Sequence, residues 1–438
     1  MRTVGIIVEY NPLHNGHVYH CQQARRLSKA DAVVAVMSGH FLQRGEPALT
    51  NKWARTEMAL SMGVDLVIEL PVAYSAQPAE WFAYGAVSAL HLSGIVDSLC
   101  FGSESGDIAW FSELADLLAD EPEVLQKQLH ARLKQGLNYP QAYTRAVQYV
   151  LRSEGIGAAG CGTDDAYDLA KPNNTLGLHY MIALRRLGSS IAPLTIKRVK
   201  AGYHDPLEAD AQIASATAIR EKLLVSGDLA AIQPYIPHYT AEILQREWDA
   251  GRAPVHWERL AVPLMQAILS RSKEELAALA EVSEGLENRI LRALNELEGS
   301  CSVEQLIEGC KTKRYTRTKL QRTFTRILLG HRKELLTRDV LAQGVPYLRI
   351  LGFSRIGRQL LKQMKQTASV PIITNVGQEV HPLMLLDIQA TGIHALGYQH
   401  FTAHDLLRDY YEPPLMLQQE TSASEEVPAA DAAESGSL

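Results

Sequence analysis

The chain has 438 residues, of which 46% are hydrophobic and 21% charged; this is the balance of a globular protein and argues against a disordered or fibrous one. Its length exceeds the size at which one core stops growing, so we expect about three domains. Five scattered cysteines without a CxxC pair favour reduced thiols and a cytosolic protein. No segment reaches the roughly 20 apolar residues of a membrane span, and we expect no signal peptide.

The first hundred residues predict alternating strands and helices. Apolar, β-branched runs cover residues 3–8, 32–37, 64–70 and 96–104, and helical patterns between them cover 18–28, 51–62 and 79–92. Continuous apolar runs are typical of buried parallel strands that are connected by helical crossovers. We therefore predict an α/β fold with a doubly wound, Rossmann-like sheet, which continues through another strand-like run at 191–199 to about Leu224.

Beyond Leu224 the pattern changes. From Val225 the apolar spacing is mainly helical, with one further strand predicted in SVPIIT, residues 369–374. Residues 420–438 are rich in Glu, Ser, Ala and Pro and lack periodicity, which predicts a disordered acidic tail. The predicted domains are thus 1–224, 225–419 and 420–438.

The most informative stretch is VEYNPLHNGHVYH, from Val8 to His20, in which His14 and His17 flank Asn15 and Gly16 directly after the first predicted strand. Ligands of such sheets bind where a strand gives way to a loop and a helix. The histidines are either ordinary polar residues of a loop, metal ligands, or donors to a phosphate. A metal site lacks the HExxH glutamate and a nearby Cys or Asp cluster, whereas a helix N-terminus beside a glycine suits an anion.

A second segment, IASATAIR at residues 213–220, favours the phosphate interpretation. It places Ser215 and Thr217 in a loop that enters a helix, with Arg220 one turn later. Hydroxyls, N–H groups and a guanidinium at such an entry suit the β- and γ-phosphates that leave as pyrophosphate. Alone, the segment is an ordinary Ser or Thr N-cap. No Walker motif is present, so a P-loop is excluded.

An HxGH after the first strand with a later ISxTxxR-like segment resembles the nucleotidyltransferase superfamily. More narrowly, residues 1 to about 414 resemble the bacterial tRNA(Met) cytidine acetate ligase family. The motifs that carry this resemblance, in chain order, are GIIVEYNPLHNGHVYH, MSGHFLQRGEPA, NKWARTEMAL, FGSE, KPNNTLGLHY, IKRV and IASATAIR.

The resemblance implies a two-step reaction. ATP and acetate would form acetyl-adenylate and pyrophosphate, and the acetyl group would pass to the exocyclic amine of the wobble cytidine in elongator tRNA(Met), forming acetylcytidine. ATP is thus a substrate, and Mg²⁺ is expected to share the charge of the departing pyrophosphate. No residue is predicted as a metal ligand.

The resemblance also implies site residues. His14 and His17 would be catalytic and would stabilise the pentavalent α-phosphate. The implied ATP site comprises Ile7, Val8, Glu9, Tyr10, Asn11, Pro12, Leu13, His14, Asn15, Gly16, His17, Val18, Tyr19, His20, Gly102, Asn173 and Arg198, with Asn174 as a near-equal candidate for the asparagine. From the superfamily pattern and the helix-entry argument we add Ser215, Thr217 and Arg220.

The net charge of −6 hides a basic half. Lys311 to Lys333 contains nine Lys or Arg and no acid, and residues 340–378 are again basic and acid-free. Such cations suit phosphates, and Tyr315 and Phe324 suit unpaired bases; the alternative is a solvated basic helix face with Phe324 in the core. We predict tRNA contacts from Lys313, Arg314, Arg317, Lys319, Arg322, Arg326, Arg355 and Arg358, and Arg44 is a weaker candidate for the tRNA or acyl side.

Two other functions stay open on the sequence. One is a nucleotidyltransferase that acts on a small phosphorylated metabolite and needs no tRNA. The other is a non-catalytic tRNA-binding protein that retains a nucleotide pocket. The sequence does not give the oligomeric state.

Overall fold

The structure is a computed structural model that describes residues 1–137, 139–153, 169, 171–198, 214–377 and 380–417. Cys161, Ile213 and the predicted acidic tail lie outside these residues. Among the described helices, none is both long and apolar enough to cross a bilayer.

The first half of the chain alternates strands and helices as predicted. Its elements are β1 (Thr3–Val8), α1 (Asn15–Ser28), β2 (Ala32–Ser38), α2 (Lys52–Met62), β3 (Leu66–Leu70), α3 (Val72–Ser75), α4 (Ala79–Ser93), β4 (Ser98–Ser103), α5 (Ile108–Leu118), α6 (Glu123–Lys134), α7 (Tyr139–Ser153), α8 (Pro172–Arg186), β5 (Ala192–Lys197) and α9 (Ala216–Ser226).

The second half is mainly helical, which is again as predicted. Its elements are α10 (His238–Asp249), α11 (Ala261–Leu269), α12 (Lys273–Ala277), α13 (Leu286–Asn295), α14 (Val303–Cys310), α15 (Arg317–Leu328), α16 (Arg338–Leu341), β6 (Leu348–Phe353), α17 (Arg355–Thr367), β7 (Ile372–Ile373), α18 (Pro382–Ala395), α19 (Ala403–Leu406), α20 (Arg408–Tyr411) and β8 (Leu415–Met416). Three 3-10 helices cover Leu229–Tyr235, Trp257–Leu260 and Lys333–Leu336. The strand predicted in SVPIIT is β7.

The eight strands of the described residues form one sheet in the order β5-β4-β1-β2-β3-β6-β7, with β8 also pairing with β6. The strands β1 to β5 run parallel. The order reverses between β1 and β4, and in open α/β sheets this is where ligands bind, beyond the carboxyl ends of the strands. The fold class predicted from the sequence is therefore confirmed, and the topology places a crevice next to His14.

The apolar runs are continuous because the strands are buried on both faces. In β2, Ala32, Val34 and Val36 belong to one hydrophobic cluster, and Val33 and Ala35 belong to the cluster on the opposite face. Successive side chains of a strand point to opposite faces, so a strand with helices on both sides needs apolar residues at every position.

The sheet joins both halves of the chain. The strand β6 pairs antiparallel with β3, so that Glu69 lies opposite Arg349. Lys52 Nζ lies 2.8 Å from both Glu69 and Asp409, and all three side chains are at most 3% exposed. Buried charges need such partners. The boundary predicted near residue 224 stays a prediction, but the strands after it complete the same sheet.

Candidate active site

The two histidines of HNGH lie at the N-terminus of α1. His14 is the N-cap residue, and its Nδ1 accepts a hydrogen bond from the Gly16 amide at 3.1 Å. In return, His17 Nδ1 accepts from the His14 amide at 3.3 Å. The two rings stack with their centroids 3.8 Å apart. Since each Nδ1 accepts a backbone hydrogen bond, each neutral ring carries its proton on Nε2, and that N–H is the donor left for a ligand.

Both histidines are held in the neutral form. Burial lowers the pKa of His14 to about 4, and the positive charges of Arg198 and Arg220 act in the same direction. Burial also lowers the pKa of His17 well below its ordinary value, with smaller effects from His14, His20 and Arg198. A bound anion would oppose the arginines and favour proton gain by the rings. The site therefore offers neutral N–H donors in a positive environment.

Neighbouring side chains fix this turn. Tyr10 is 1% exposed and has a left-handed backbone conformation with φ of 51°. Its ring packs against the His17 ring in a T-shaped arrangement, with the two ring centroids 5.0 Å apart. The Asn11 side chain accepts from the Leu49 amide at 2.7 Å, and Asn15 donates to the Pro234 carbonyl at 3.2 Å. Leu13 is fully buried. These packed residues of the predicted ATP segment thus fix the conformation of the turn that carries His14 and His17.

Three other predicted ATP residues lie together near the carboxyl ends of β4 and β5 and the start of α8, although they come from distant parts of the chain. Arg198 directly follows β5 and donates from Nη1 to Asn173 Oδ1, at the start of α8, at 3.1 Å. Gly102 lies in β4 beside them, and a Cβ atom built on it would lie only 3.3 Å from Arg198 Cγ. A glycine there leaves room for the stem of the arginine.

The structure separates the roles of the two neighbouring asparagines. Asn174 is 2% exposed, and its Oδ1 accepts from the amides of Glu104 and Ser105 at 2.9 and 3.0 Å. Asn173 is half-buried and carries the contact with Arg198. Asn173 is therefore the better candidate for a ligand contact, and Asn174 holds the loop after β4.

In the IASATAIR segment, Arg220 is the residue that reaches the histidine turn. It donates from Nη1 to the Asn11 carbonyl and from Nη2 to Glu46 Oε2, both at 2.9 Å. Ser215 is the N-cap of α9 and accepts from the Ala218 amide at 3.2 Å, while Thr217 is exposed. Residues 199–213, which connect Arg198 to this helix, lie outside the described residues.

The loop after β2 makes contacts that the sequence did not reveal. Glu9 accepts from the Gln43 amide at 2.7 Å, and Glu46 bridges Arg220 to Gln321 of α15 at 3.3 Å. A Cβ atom on Gly45, whose φ is 84°, would lie 2.3 Å from a backbone nitrogen of α15. Glycine at position 45 therefore permits the close approach of this loop to α15. This glycine, within GHFLQRGEP, is the sequence feature that could have indicated the contact.

One predicted tRNA contact is wrong. Arg326 is fully buried, and its guanidinium donates to the carbonyls of Val72 at 3.2 Å, Ala73 at 3.4 Å and Ala76 at 2.5 Å. A side chain that satisfies buried carbonyls in this way cannot meet a phosphate on the surface. Arg326 instead holds the segment of α3 against α15.

Most other cations predicted on or near α15 have acidic partners. Arg314 pairs with Glu284, Arg317 donates to Glu304 at 2.6 Å, and Arg322 donates to Glu281 at 2.7 Å with a side chain only 11% exposed. Lys319 lies over the Tyr315 ring, 5.4 Å from its centroid. Lys313 is exposed.

The two aromatic residues of the basic segment do not face solvent. Tyr315 is 8% exposed, and Phe324, Ile327 and Leu328 are buried in the main core. The alternative of a core-packed helix thus holds for Phe324, and base stacking by these aromatics is not supported.

The second basic helix is different. On α17, Leu360, Leu361 and Met364 face the protein interior, while Arg355, Arg358, Lys362 and Lys365 are all exposed. Among the described residues no acidic partner lies within 4.0 Å of any of these four cations. At the start of α17, Ser354 Oγ donates a hydrogen bond to Asp65 Oδ1 at 2.8 Å. Asp65 directly precedes β3, so α17 begins at the amino ends of the parallel strands, whereas the histidines lie at their carboxyl ends.

The described residues contain no group of three or more His, Cys, Asp or Glu side chains that could hold a metal ion. A divalent cation at this site would need most of its oxygen ligands from a phosphate substrate and water, as Mg²⁺ commonly does.

A Rossmann-like sheet with HxGH histidines at the first helix N-terminus defines a nucleotidyltransferase. The sequence profile described as HIGH Nucleotidyl Transferase matches residues 1–409. Among similar proteins, the tRNA(Met) cytidine acetate ligase of Alkaliphilus metalliredigens is 41% identical over 407 residues, covering 91% of this chain and 95% of the relative. That of Lysinibacillus sphaericus is 41% identical and covers 95% of this chain and 100% of the relative.

A solved structure agrees. The crystal structure of Thermotoga maritima TmcAL bound with alpha-thio ATP matches with a TM-score of 0.85 and 35% identity, covering 95% of this chain and 100% of that one. Within the nucleotidyltransferases, the chain belongs to the tRNA(Met) cytidine acetate ligase family. The family that the sequence motifs indicated is therefore confirmed, and with it the assignment to the ligases.

Proposed function

We propose that this protein activates acetate with ATP and transfers the acetyl group to the wobble cytidine of elongator tRNA(Met), in the cytoplasm. The observation that carries the first step is the stacked histidine pair at the N-terminus of α1, which leaves two Nε2–H donors beside the positive end of the helix dipole, a combination that suits an anion. Relatives named for this reaction, and one crystallised with an ATP analogue, support the substrate assignment.

In the first step, a carboxylate oxygen of acetate attacks the α-phosphorus of ATP, and the bond to the β-phosphate breaks to release pyrophosphate. Acetate is itself the nucleophile, so the protein has to supply position and charge stabilisation. His14 and His17 donate to oxygens of the pentavalent α-phosphate. Arg198 and Arg220 neutralise the leaving pyrophosphate, with Ser215 and Thr217 at the adjoining helix entry.

Mg²⁺, when bound, would share the charge of the triphosphate. The described residues do not offer a built metal site, so no step in this proposal depends on a protein-bound ion.

In the second step, the exocyclic amine of the cytidine attacks the acetyl carbonyl, loses a proton and displaces AMP. The tRNA surface that we propose combines Lys313, Arg314, Arg317, Lys319 and Arg322 near the loop after β2, Arg355 and Arg358 on α17, and exposed Arg44 between Glu9 and α15. Since α17 starts at the amino ends of the parallel strands and the histidines lie at the carboxyl ends, a tRNA that contacts α17 and also reaches the histidines spans at least one strand length, roughly 15–20 Å.

The test is a reaction of the purified full chain with ATP, acetate and tRNA(Met), followed by nucleoside mass spectrometry. We expect the mass of one acetyl group on the wobble cytidine and pyrophosphate release that depends on acetate. An unmodified cytidine would overturn the proposal. Pyrophosphate release that needs a phosphorylated metabolite and no tRNA would favour a metabolite nucleotidyltransferase instead.

The histidine assignment is tested with His14→Ala and His17→Ala together. We expect pyrophosphate release to fall by at least about 100-fold, because two donors to the transition state are lost, while tRNA binding stays unchanged. His130→Ala is the matched control, since His130 is exposed on α6. Equal activity of the double variant and the control would reject the assignment.

A further inference from the structure

Glu104, the last residue of the FGSE motif, connects the loop after β4 to the start of α8. Its Oε1 accepts from Asn173 Nδ2 at 2.6 Å, and its Oε2 accepts from the Asn174 amide at 2.8 Å. The Glu104 amide donates in turn to Asn174 Oδ1 at 2.9 Å. These reciprocal hydrogen bonds join two segments that lie 69 and 70 positions apart in the chain.

The lock orients the Asn173 side chain. Because both Asn173 Nδ2 and the carboxylate of Glu104 have fixed roles as donor and acceptor, the carboxamide oxygen of Asn173 must face away from Glu104. That oxygen accepts from Arg198 Nη1 at 3.1 Å. The amide flip, which decides whether Asn173 can hold a guanidinium, is therefore set by Glu104.

The Arg198 side chain is exposed, its stem lies over Gly102, and within the described residues Asn173 is the side chain that holds its guanidinium. A long exposed side chain loses rotamer entropy when it is fixed on a ligand. A preset hydrogen bond to Asn173 lowers that cost, since the guanidinium is already held where its charge acts on His14.

We propose that Glu104 is a positioning residue, which acts through Asn173 to hold the Arg198 guanidinium toward the nucleotide phosphates. The inference rests on the ATP site of the proposed function. It assigns no contact between Glu104 and substrate, and it predicts that Glu104, Asn173 and Arg198 behave as one energetic unit toward ATP.

The experiment is a double-mutant cycle on the full chain. Glu104→Gln leaves one acceptor oxygen for the Asn173 Nδ2 and Asn174 amide donors, so its NH₂ group faces one of these donors and the hold on the Asn173 carboxamide is weakened. ATP affinity is measured by calorimetry for the wild type, Glu104→Gln, Arg198→Ala and the double variant, and KM for ATP and kcat are measured from acetate-dependent pyrophosphate release. Glu113→Gln, an exposed glutamate on α5, is the matched control.

We expect Glu104→Gln to weaken ATP binding about tenfold, as the loss of a hydrogen bond to a charged group does, with KM raised more than kcat is lowered. In the Arg198→Ala background the same change should have little further effect, because coupled residues are not additive. Additive losses in the cycle, or ATP affinity equal to that of the control, would overturn the inference.

A second cycle protects the test against misfolding. If Glu104→Gln lowers the melting temperature sharply, Asn173→Ala with Arg198→Ala measures the same connection without the carboxylate, and additivity there would equally reject it. Failure of the proposed function is distinguishable, since it would remove acetate-dependent pyrophosphate release from the wild type while the ATP calorimetry still reports on Glu104.

Discussion

The helices α15 and α17 are both basic in sequence, but they present different surfaces. On and near α15, the charges of Arg314, Arg317 and Arg322 are met by Glu284 and Glu281 of the loop before α13 and by Glu304 of α14. On α17, Arg358 and Lys362 are exposed and have no acidic partner within 4.0 Å in the described part of the chain. An acid-free stretch of sequence therefore does not by itself make a basic surface, because the acids that neutralise it are neighbours in space.

The two helices also differ in location. Gln321 of α15 is hydrogen-bonded to Glu46, which is also hydrogen-bonded to Arg220 at the histidine turn. In contrast, α17 starts at the amino ends of the parallel strands, away from this turn. The positive charge is therefore largely neutralised on and near α15, which lies close to the proposed reaction centre, and is not neutralised by described acids on α17, which lies farther away. Exposed ion pairs are worth about 0–1 kcal/mol, so a phosphate can displace Glu304 from Arg317, but not the carbonyls from Arg326.

The largest expected effect separates a structural arginine from a surface one. Arg326→Met should lower the free energy of unfolding by about 4 kcal/mol, since it leaves several buried carbonyls without a donor. Arg358→Met on α17 should change it by less than about 0.5 kcal/mol. Urea unfolding of both variants makes the measurement. Equal stabilities would mean that Arg326 is not needed in the core and would restore it as a surface candidate.

The next effect comes from acid. The pKa of His14 is about 4 in the folded protein against an ordinary 6.5, so the unfolded chain binds the proton more tightly, and stability is lost as pH falls from 6.5 toward 4. The free energy of unfolding at pH 5 should be lower by about 2 kcal/mol from this histidine alone, and His14→Gln should remove that share.

Phosphate contacts made by arginine and lysine differ from those made by histidine, because histidine is the side chain that ordinarily changes its charge between pH 5 and 8. The salt dependence of tRNA binding is therefore expected to be equal at pH 7 and pH 6. A steep change in that slope over this range would show that histidines, rather than α17, carry the phosphate contacts.

A third prediction tests the tRNA surface. If Arg358 and Lys362 each meet a phosphate, Arg358→Gln with Lys362→Gln should weaken tRNA binding roughly tenfold and reduce the salt slope by about 2. Arg314→Gln with Arg317→Gln should have a smaller effect, because those cations are already neutralised. Affinity is measured by filter binding at several salt concentrations, and the reverse order would place the tRNA on α15.

The smallest effect concerns the acids. Glu284→Gln with Glu304→Gln removes the nearest acidic partners of Arg314 and Arg317 and leaves Glu308 at 3.8 Å from Arg317, so tRNA affinity should rise a few-fold while the free energy of unfolding changes by less than about 1 kcal/mol after allowance for solvent screening. Glu242→Gln, on an exposed face of α10, serves as the control. No gain in affinity would indicate that tRNA does not approach this side of α15.

Much of the fold was predictable, for a physical reason. The strands β1 to β4 are buried on both faces, so each appears as a continuous apolar run. The strand β6 was not assigned because it contains Arg349, whose charge is tolerated only where Asp409 lies 3.7 Å away. A pairing of that kind depends on a partner 60 positions later.

The site divides in the same way. His14 and Arg220 could be singled out because local motifs at helix starts carry them, and their functional roles stay predictions. Glu104 was not singled out, since its proposed role depends on the orientation of Asn173 in space, and Arg326 was wrongly placed because a charge pattern cannot show that one turn of a helix faces buried carbonyls.

The pairing of β3 with β6 has a consequence for synthesis. The paired residues Leu66 and Phe353 are about 290 positions apart, and at ~5–20 residues per second a ribosome needs about 15–60 s to make that length of chain. During this interval β3 is an open edge strand, which is the kind of edge that invites pairing with other chains. Translation speed and chaperone access should therefore affect the yield of this protein.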